Sequence, residues 1–255
     1  MCYDIKTSLE TQLKRAEKDQ DLQAIEDIRE RLAPLTDLPL YHASGFTHPE
    51  LLIYTDRSPY FPEVATWGLV PHWTKDTKQQ KKLWNATLNA RGETLFEKPA
   101  FRDAAQHQRC IIYVDGFYEH HHQDGKAYPF FVQHKEQQPL ALAGLWSEWR
   151  NPETKGLLRS FTIVTTAANP LMQHIHNNPK LKAARMPFIL PKELEDAWLK
   201  PITNDADKEG IQKLIAPLPE GELTAHPVAR LRGKEYQGNV AGVSDEVTYA
   251  ALKAS

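Results

Sequence analysis

The feature that most constrains the fold is a pair of β-rich segments joined by a tight-turn dipeptide. The first segment, CIIYVDGFYEHHH, begins at Cys110, and the second, AYPFFVQ, follows Asp124-Gly125. Asp-Gly is typical of two-residue hairpin turns, whose central residues need positive φ angles. The pattern predicts an antiparallel hairpin, with Glu119 at the end of its first strand and Cys110 as a buried structural thiol.

Further short strands and peripheral helices are predicted around this hairpin. β-Branched and aromatic runs bounded by Gly, Pro, Asn and Asp predict strands at 41–45, 51–55, 63–71, 140–149, 160–166, 186–191 and 225–231. Helical spacing predicts helices at 97–105, 167–177, 191–200 and 208–214. Many short strands with flanking helices indicate an α+β fold, with one curved, mostly antiparallel, barrel-like sheet in a single domain spanning 1–255.

The N-terminal region has a different pattern. Apolar residues recur at helical spacing from Ile5 to Leu32, and the phase slips once near Asp21. We predict two amphipathic helices, with Asp21 as the N-cap of the second and Pro34 ending the run. These helices form an insert at about 5–34 that packs on the body of the domain.

Composition excludes several classes of protein. The net charge of −2 provides no global basic field, so any DNA contact must be local. Two cysteines far apart in sequence argue against a disulfide framework and for a reducing compartment. No apolar run approaches the ~18 residues needed to span a bilayer. We therefore expect a cytoplasmic protein with no membrane partner.

Cys2 is the residue with the most distinctive chemistry. If Met1 is removed, Cys2 carries a thiol and a free α-amine on adjacent carbons. The amine titrates near ~7.7 to 8.0 and the thiol near ~8.5, so both nucleophilic forms are present at neutral pH. An aldehyde can condense with the amine, and the thiol can then close a thiazolidine ring. Position 2 alone does not establish this chemistry, so the interpretation depends on the downstream sequence.

Two other chemistries compete with this interpretation. A zinc site would use the histidines of the 120–122 triplet with His174 and His176, but HExxH and CxxC patterns are absent, and we predict no metal and no cofactor. A cysteine peptidase would use Cys2 or Cys110 as nucleophile and His176 as base. Cys110 lies inside a strand and lacks the helix N-terminus that lowers a thiol pKa, which weakens that version.

Eight blocks of sequence occur in the order found in the SOS-response-associated peptidase (SRAP) family, proteins that shield abasic sites. They are Met1-Cys2, TWGLVPHW (66–73), LNARGET (88–94), RCIIYVDGFYE (109–119), AGLW (143–146), TIVTTAANPLMQHIHN (162–177), RMPFIL (185–190) and HPVAR (226–230). The chain therefore resembles this family through most of its length. Each block alone is weak evidence, whereas eight collinear blocks are specific.

The resemblance implies a monomeric protein that binds single-stranded DNA and crosslinks to abasic sites through Cys2. By position, Asn89 orients Cys2, Glu119 exchanges protons with the α-amine, and His176 assists opening of the sugar. It also implies DNA contacts at Gly45, Trp73, Arg91, Lys98, Thr165 and Arg185. The family name leaves a second activity open, a cysteine (auto)peptidase that uses Cys2 and removes Met1.

This chain departs from its relatives close to Cys2. Many relatives continue as Cys-Gly-Arg, whereas here Tyr3 and Asp4 follow Cys2, so an acidic residue stands where an arginine would meet phosphate. A second aromatic residue next to Trp73 is also missing, because Thr74 follows it. These differences bear on the DNA path and on the affinity for DNA.

Two inserts are also unusual for the family. One is the helical insert, and the other is the lysine-rich segment 178–184. Lys180 and Lys182 within the second insert are expected to restore part of the positive charge lost at Asp4.

Overall fold

The computed structural model describes residues 2–19 and 22–254. The strands are β1 (Asp4–Thr7), β2 (Leu40–Ser44), β3 (Glu50–Thr55), β4 (Glu63–Trp67), β5 (Asn89–Arg91), β6 (Arg109–Val114), β7 (Gly116–Gln123), β8 (Lys126–His134), β9 (Leu140–Arg150), β10 (Leu157–Ala167), β11 (Arg185–Pro187), β12 (Ile189–Leu190) and β13 (Leu223–Pro227). The α-helices are α1 (Leu9–Leu13), α2 (Leu22–Asp27), α3 (Thr77–Trp84), α4 (Arg102–His107), α5 (Pro170–Ile175), α6 (Glu195–Leu199) and α7 (Asp205–Leu214).

One sheet is antiparallel throughout, with the strand order β13-β8-β7-β1-β2. The predicted hairpin is its β7–β8 pair, and the turn has positive φ at Asp124 and Gly125. The strand predicted from Cys110 is interrupted at Asp115, and its first half, β6, belongs to the other sheet. The prediction that Glu119 ends the first strand is wrong, because β7 continues to Gln123. The histidine triplet pairs with β8 backbone and extends the strand, so Glu119 lies buried within it.

The second sheet closes into a five-stranded ring, β10-β4-β3-β6-β9, in which β9 pairs back with β10. Only β4 and β10 run parallel within this ring. Its strands are buried on both faces: Ile112 packs in one apolar core with Cys2, whereas the adjacent Ile111 packs in the other. This explains the continuous apolar runs, and the predicted α+β, barrel-like fold is confirmed.

The N-terminal prediction needs one correction. Ile5 does not begin a helix but lies in β1, between β2 and β7. Backbone pairing on both edges overrides the helical spacing there. The first helix begins at Leu9, where the Ser8 hydroxyl accepts a hydrogen bond from the Thr11 N–H at 3.2 Å. The predicted cap at Asp21 lies outside the described residues.

Other element boundaries also differ from the sequence prediction. The strand expected to run to Pro71 ends at Trp67, because Gly68 adopts φ +115°. Helix α3, which lies between β4 and β5 and ends at Trp84, has Asp76 as its N-cap. The helix expected from 97 begins at Arg102. No helix within the described ranges is long and apolar enough to cross a membrane.

Candidate active site

The backbone around Cys2 is held from two sides. The Asn89 side-chain amide donates to the Cys2 carbonyl oxygen at 2.8 Å, and the Gly45 N–H donates to the Tyr3 carbonyl oxygen at 2.7 Å. Asn89 is fixed by the parallel pairing of β5 with β10. A Cβ atom at Gly45 would lie 3.2 Å from the Trp67 ring, so only glycine allows this close approach without displacement. These contacts bury Cys2 almost completely.

Asn89 also presents an unused acceptor. Its side-chain oxygen is buried and has no hydrogen-bond partner among the residues that the structure describes. A buried polar atom without a partner costs stability, typically ~1–3 kcal/mol. Such an atom beside Cys2 is suited to accept a hydrogen bond from a bound group.

Glu119 and His176 form a second pair of neighbouring candidate site residues. Glu119 lies on β7 and His176 follows α5, and their atoms Oε2 and Nδ1 are 3.6 Å apart. The second Glu119 oxygen accepts from the His120 N–H at 3.0 Å. The His176 Nδ1 also lies 2.8 Å from the Arg185 carbonyl oxygen. A proton on Nδ1 can be donated to that carbonyl, which leaves Nε2 as the basic nitrogen.

Burial has the largest effect on the pKa values of Cys2 and His176. It raises the pKa of the Cys2 thiol well above its ordinary value, and the Glu119 carboxylate raises it further. Burial also lowers the pKa of His176, although Glu119 acts in the opposite direction. The resting site therefore holds a protonated thiol and a neutral imidazole at pH 7.

Three residues predicted to bind DNA lie on or beside β5, the strand that carries Asn89. Arg91 is exposed on β5, opposite Thr165 on β10. The Arg185 guanidinium donates to both Glu93 oxygens, at 3.0 and 2.8 Å, and to the Thr165 hydroxyl at 3.2 Å. Arg185 thus joins the strand ends, and its charge is already paired with a carboxylate.

Trp73 and Lys98 belong to a separate part of the surface. The Trp73 indole donates to the Pro99 carbonyl oxygen at 3.3 Å and is 37% exposed, and Lys98 is exposed beside it. Neither has a hydrogen bond or ion pair with Cys2, Asn89, Glu119 or His176 in the described chain.

Sequence reasoning misplaced Asp4. Its carboxylate does not face solvent, where it would repel phosphate, but is buried between His42 Nε2 at 3.2 Å and Arg232 at 3.0 Å. Burial opposes ionisation, yet hydrogen bonding to His42 and the nearby Arg232 hold the pKa of Asp4 below its ordinary value. No sequence pattern marks His42 or Arg232 as a partner of Asp4. Arg232 comes from the distant C-terminal segment.

Tyr3 and Phe46 form a second feature that sequence reasoning missed. Their ring centroids lie 5.1 Å apart, and Phe46 is 47% exposed. The only available signal was that each aromatic residue directly follows a predicted site residue, Cys2 or Gly45.

The histidines considered for zinc are used otherwise. His121 Nδ1 lies 2.9 Å from the His174 carbonyl oxygen, and His174 is within helix α5 rather than in an extended segment. Within residues 2–19 and 22–254, no group of three His, Cys, Asp or Glu side chains is placed to hold a metal ion. Cys110 is buried as predicted, and burial raises its pKa well above the ordinary value.

A sequence profile described as "SOS response associated peptidase (SRAP)" matches residues 1–234. This chain belongs to the SRAP family. The SRAP chain is 38% identical over 195 residues to the abasic site processing protein YoqW of Bacillus subtilis strain 168, covering 75% of this chain and 81% of the relative. It is 27% identical over 213 residues to the abasic site processing protein YedK of Escherichia coli K12, covering 82% and 86%.

Solved structures support the same fold. The SRAP chain superposes on the crystal structure of a protein from Bacteroides thetaiotaomicron with a TM-score of 0.80 and 28% identity, covering 97% of this chain and all of the other. A second, from Bordetella bronchiseptica, gives a TM-score of 0.68 at 25% identity and covers 89% and 99%.

Proposed function

We propose that this protein processes abasic sites by forming a covalent thiazolidine crosslink between Cys2 and the opened sugar of single-stranded DNA. The observation that best supports this proposal is the hydrogen bond from Asn89 to the Cys2 carbonyl oxygen. In the same group of residues, Glu119 lies within 3.6 Å of His176. Relatives named abasic site processing proteins support the choice of substrate.

The reaction is a condensation after Met1 has been removed. The closed sugar opens when the C1′ hydroxyl loses a proton and O4′ gains one, which exposes an aldehyde. The Cys2 amine attacks this carbon, and loss of one water gives an imine. The Cys2 sulfur then adds to the imine carbon while the thiol proton passes to nitrogen. One aldehyde, one amine and one thiol thus give a thiazolidine ring and one water.

Each neighbouring side chain supplies one part of this sequence. Asn89 fixes the Cys2 backbone, and in this proposal its unpartnered oxygen accepts a hydrogen bond from the bound substrate. His176, neutral at pH 7 because burial lowers its pKa, exchanges the protons of ring opening. Glu119 removes a proton from the amine or the thiol and returns it to the departing hydroxyl.

The DNA strand would run along the rim of this cluster and continue to the separate part of the surface that carries Trp73 and Lys98. We assign backbone, sugar and base contacts to Gly45, Trp73, Arg91, Lys98, Thr165 and Arg185. Guanidinium groups suit phosphate, and an exposed indole suits base stacking. The active form in this proposal is a cytoplasmic monomer of one domain, without a cofactor.

The proposal is tested with a single-stranded oligonucleotide that contains one uracil, treated with uracil glycosylase. A denaturing gel should show a shifted band with wild-type protein and none with Cys2→Ala. Absence of a band with wild-type protein whose intact mass lacks Met1 would overturn the proposal. Cleavage of a peptide in trans, lost in Cys2→Ala, would favour the cysteine peptidase instead.

A further inference from the structure

The segment between His176 and Arg185 is tied to the candidate active site at both ends. We call residues 178–184 the lysine loop. Just before it, the Asn177 side chain accepts from the His122 N–H at 2.6 Å and donates to the His122 carbonyl oxygen at 3.1 Å. At its end, the Ala184 carbonyl oxygen accepts from the Ala168 N–H at 3.3 Å. The loop therefore begins on the strand that carries Glu119 and ends beside β10.

His176 itself closes the base of the loop. Its Nδ1 lies 2.8 Å from the Arg185 carbonyl oxygen and 3.2 Å from the Arg185 nitrogen. Within the loop, the Asn178 side chain accepts from the Lys180 N–H at 3.0 Å, and the Leu181 N–H donates to the Asn178 carbonyl oxygen at 3.0 Å. These bonds form a turn whose lysines are three or four residues from His176 or Arg185.

The loop carries positive charge that is not neutralised locally. Lys180 and Lys182 are exposed and form no salt bridge with any described residue. No Asp or Glu occurs from His176 to Lys192. In contrast, Arg185 is paired with Glu93 and Arg232 with Asp4. An anionic strand approaching His176 meets these lysines without first displacing a carboxylate.

We propose that the lysine loop binds the phosphate backbone of the DNA strand beside the abasic nucleotide, through Lys180 and Lys182. This inference rests on the proposed function, because it takes single-stranded DNA as the ligand. A sugar placed between Cys2 and His176 has its neighbouring phosphates within reach of a loop anchored at His176. Leu181, 40% exposed between the two lysines, adds an apolar contact for the sugar.

Salt dependence separates phosphate contacts from other effects. Non-covalent binding is measured by fluorescence anisotropy with a labelled abasic single strand, in a Cys2→Ala background, from 50 to 300 mM NaCl. Each lysine–phosphate contact contributes about 0.7 to the slope of log affinity against log salt. Lys180→Ala with Lys182→Ala should therefore reduce the slope by about 1.4. Lys180→Arg with Lys182→Arg should keep the slope of the Cys2→Ala parent.

Lys14→Ala with Lys192→Ala is the matched control, since both lysines are exposed and line another cleft, beside Tyr113 and Leu190. Its slope should equal that of the Cys2→Ala parent. Equal slopes for the parent and the Lys180/Lys182 alanine variant would overturn the loop proposal and leave crosslinking untouched. Normal slopes without any wild-type adduct would instead reject the covalent function. No binding by the Cys2→Ala parent would overturn both.

Discussion

Glu119 Oε2 lies 3.6 Å from His176 Nδ1, although one residue belongs to a β-hairpin and the other follows a short helix. The carboxylate opposes the effect of burial on the imidazole and raises the pKa of the Cys2 thiol. One charge thus influences both the nucleophile and its neighbouring base. The coupling makes the pH dependence of crosslinking informative.

Glu119→Gln is expected to slow crosslinking by roughly 10² to 10⁴-fold, the range for loss of a positioned acid or base. The shape of the side chain is kept, so DNA binding should persist. Single-turnover rates on denaturing gels measure the effect. Glu97→Gln, at an exposed position, is the control and should match wild type. Superimposable pH–rate curves for Glu119→Gln and wild type would refute the acid–base role.

The limb that reports protonation of His176 is expected below pH 6.5, in addition to the decline in rate that protonation of the Cys2 amine causes below about pH 8. Burial lowers the pKa of His176 from its ordinary value, so the imidazole stays neutral above pH 6.5 and is protonated only as the pH falls further. Glu119→Gln removes the charge that opposes this shift, so the limb should move to still lower pH. Crosslinking rates measured from pH 4.5 to 8 would show the direction in which the limb moves. A shift of the limb to higher pH would contradict the prediction.

Alkylation of Cys2 by iodoacetamide in the folded, DNA-free protein should be more than about tenfold slower at pH 8.5 than in the unfolded chain. Burial and the Glu119 carboxylate keep the thiol protonated at a pH where an exposed thiol is partly ionised. Mass spectrometry of the peptides distinguishes Cys2 from Cys110. Cys110, also buried, serves as an internal reference. Equal rates for Cys2 in folded and urea-unfolded protein would contradict the prediction.

Gly144→Ala should destabilise the barrel by about 1–3 kcal/mol, because overpacking forces neighbours apart. The new Cβ would lie 2.5 Å from the Ile112 side chain and 2.9 Å from both the Cys110 sulfur and the Thr162 carbonyl oxygen. Gly210→Ala is the matched control in helix α7, with no atom within 4 Å, and should gain about 0.5–1 kcal/mol. Urea unfolding measures both. Equal stability of the two variants would contradict the packing.

Local patterns predicted most of the secondary structure. The Asp-Gly turn, the apolar runs of β6 and β9 and the helix around Trp198 all follow from adjacent residues. Two predictions failed where residues distant in the sequence determine the local structure. Ile5 fits a helical spacing, but β2 and β7 pair with its backbone. Glu119 was expected at a strand end, but β8 pairs with the three histidines that follow it.

The sequence by itself determined the family and the α+β class, because short motifs in collinear order and local strand and helix patterns indicate both; through the resemblance to that family it also predicts the candidate site residues. Only the tertiary structure decided how the charges are paired. Asp4 is neutralised by Arg232 and Arg185 by Glu93, contacts between segments far apart in the chain. Burial, which sets the pKa directions of Cys2 and His176, also exists only once the sheets have packed. Desolvation and charge pairing depend on distances in three dimensions, which the spacing of residues along the sequence does not give.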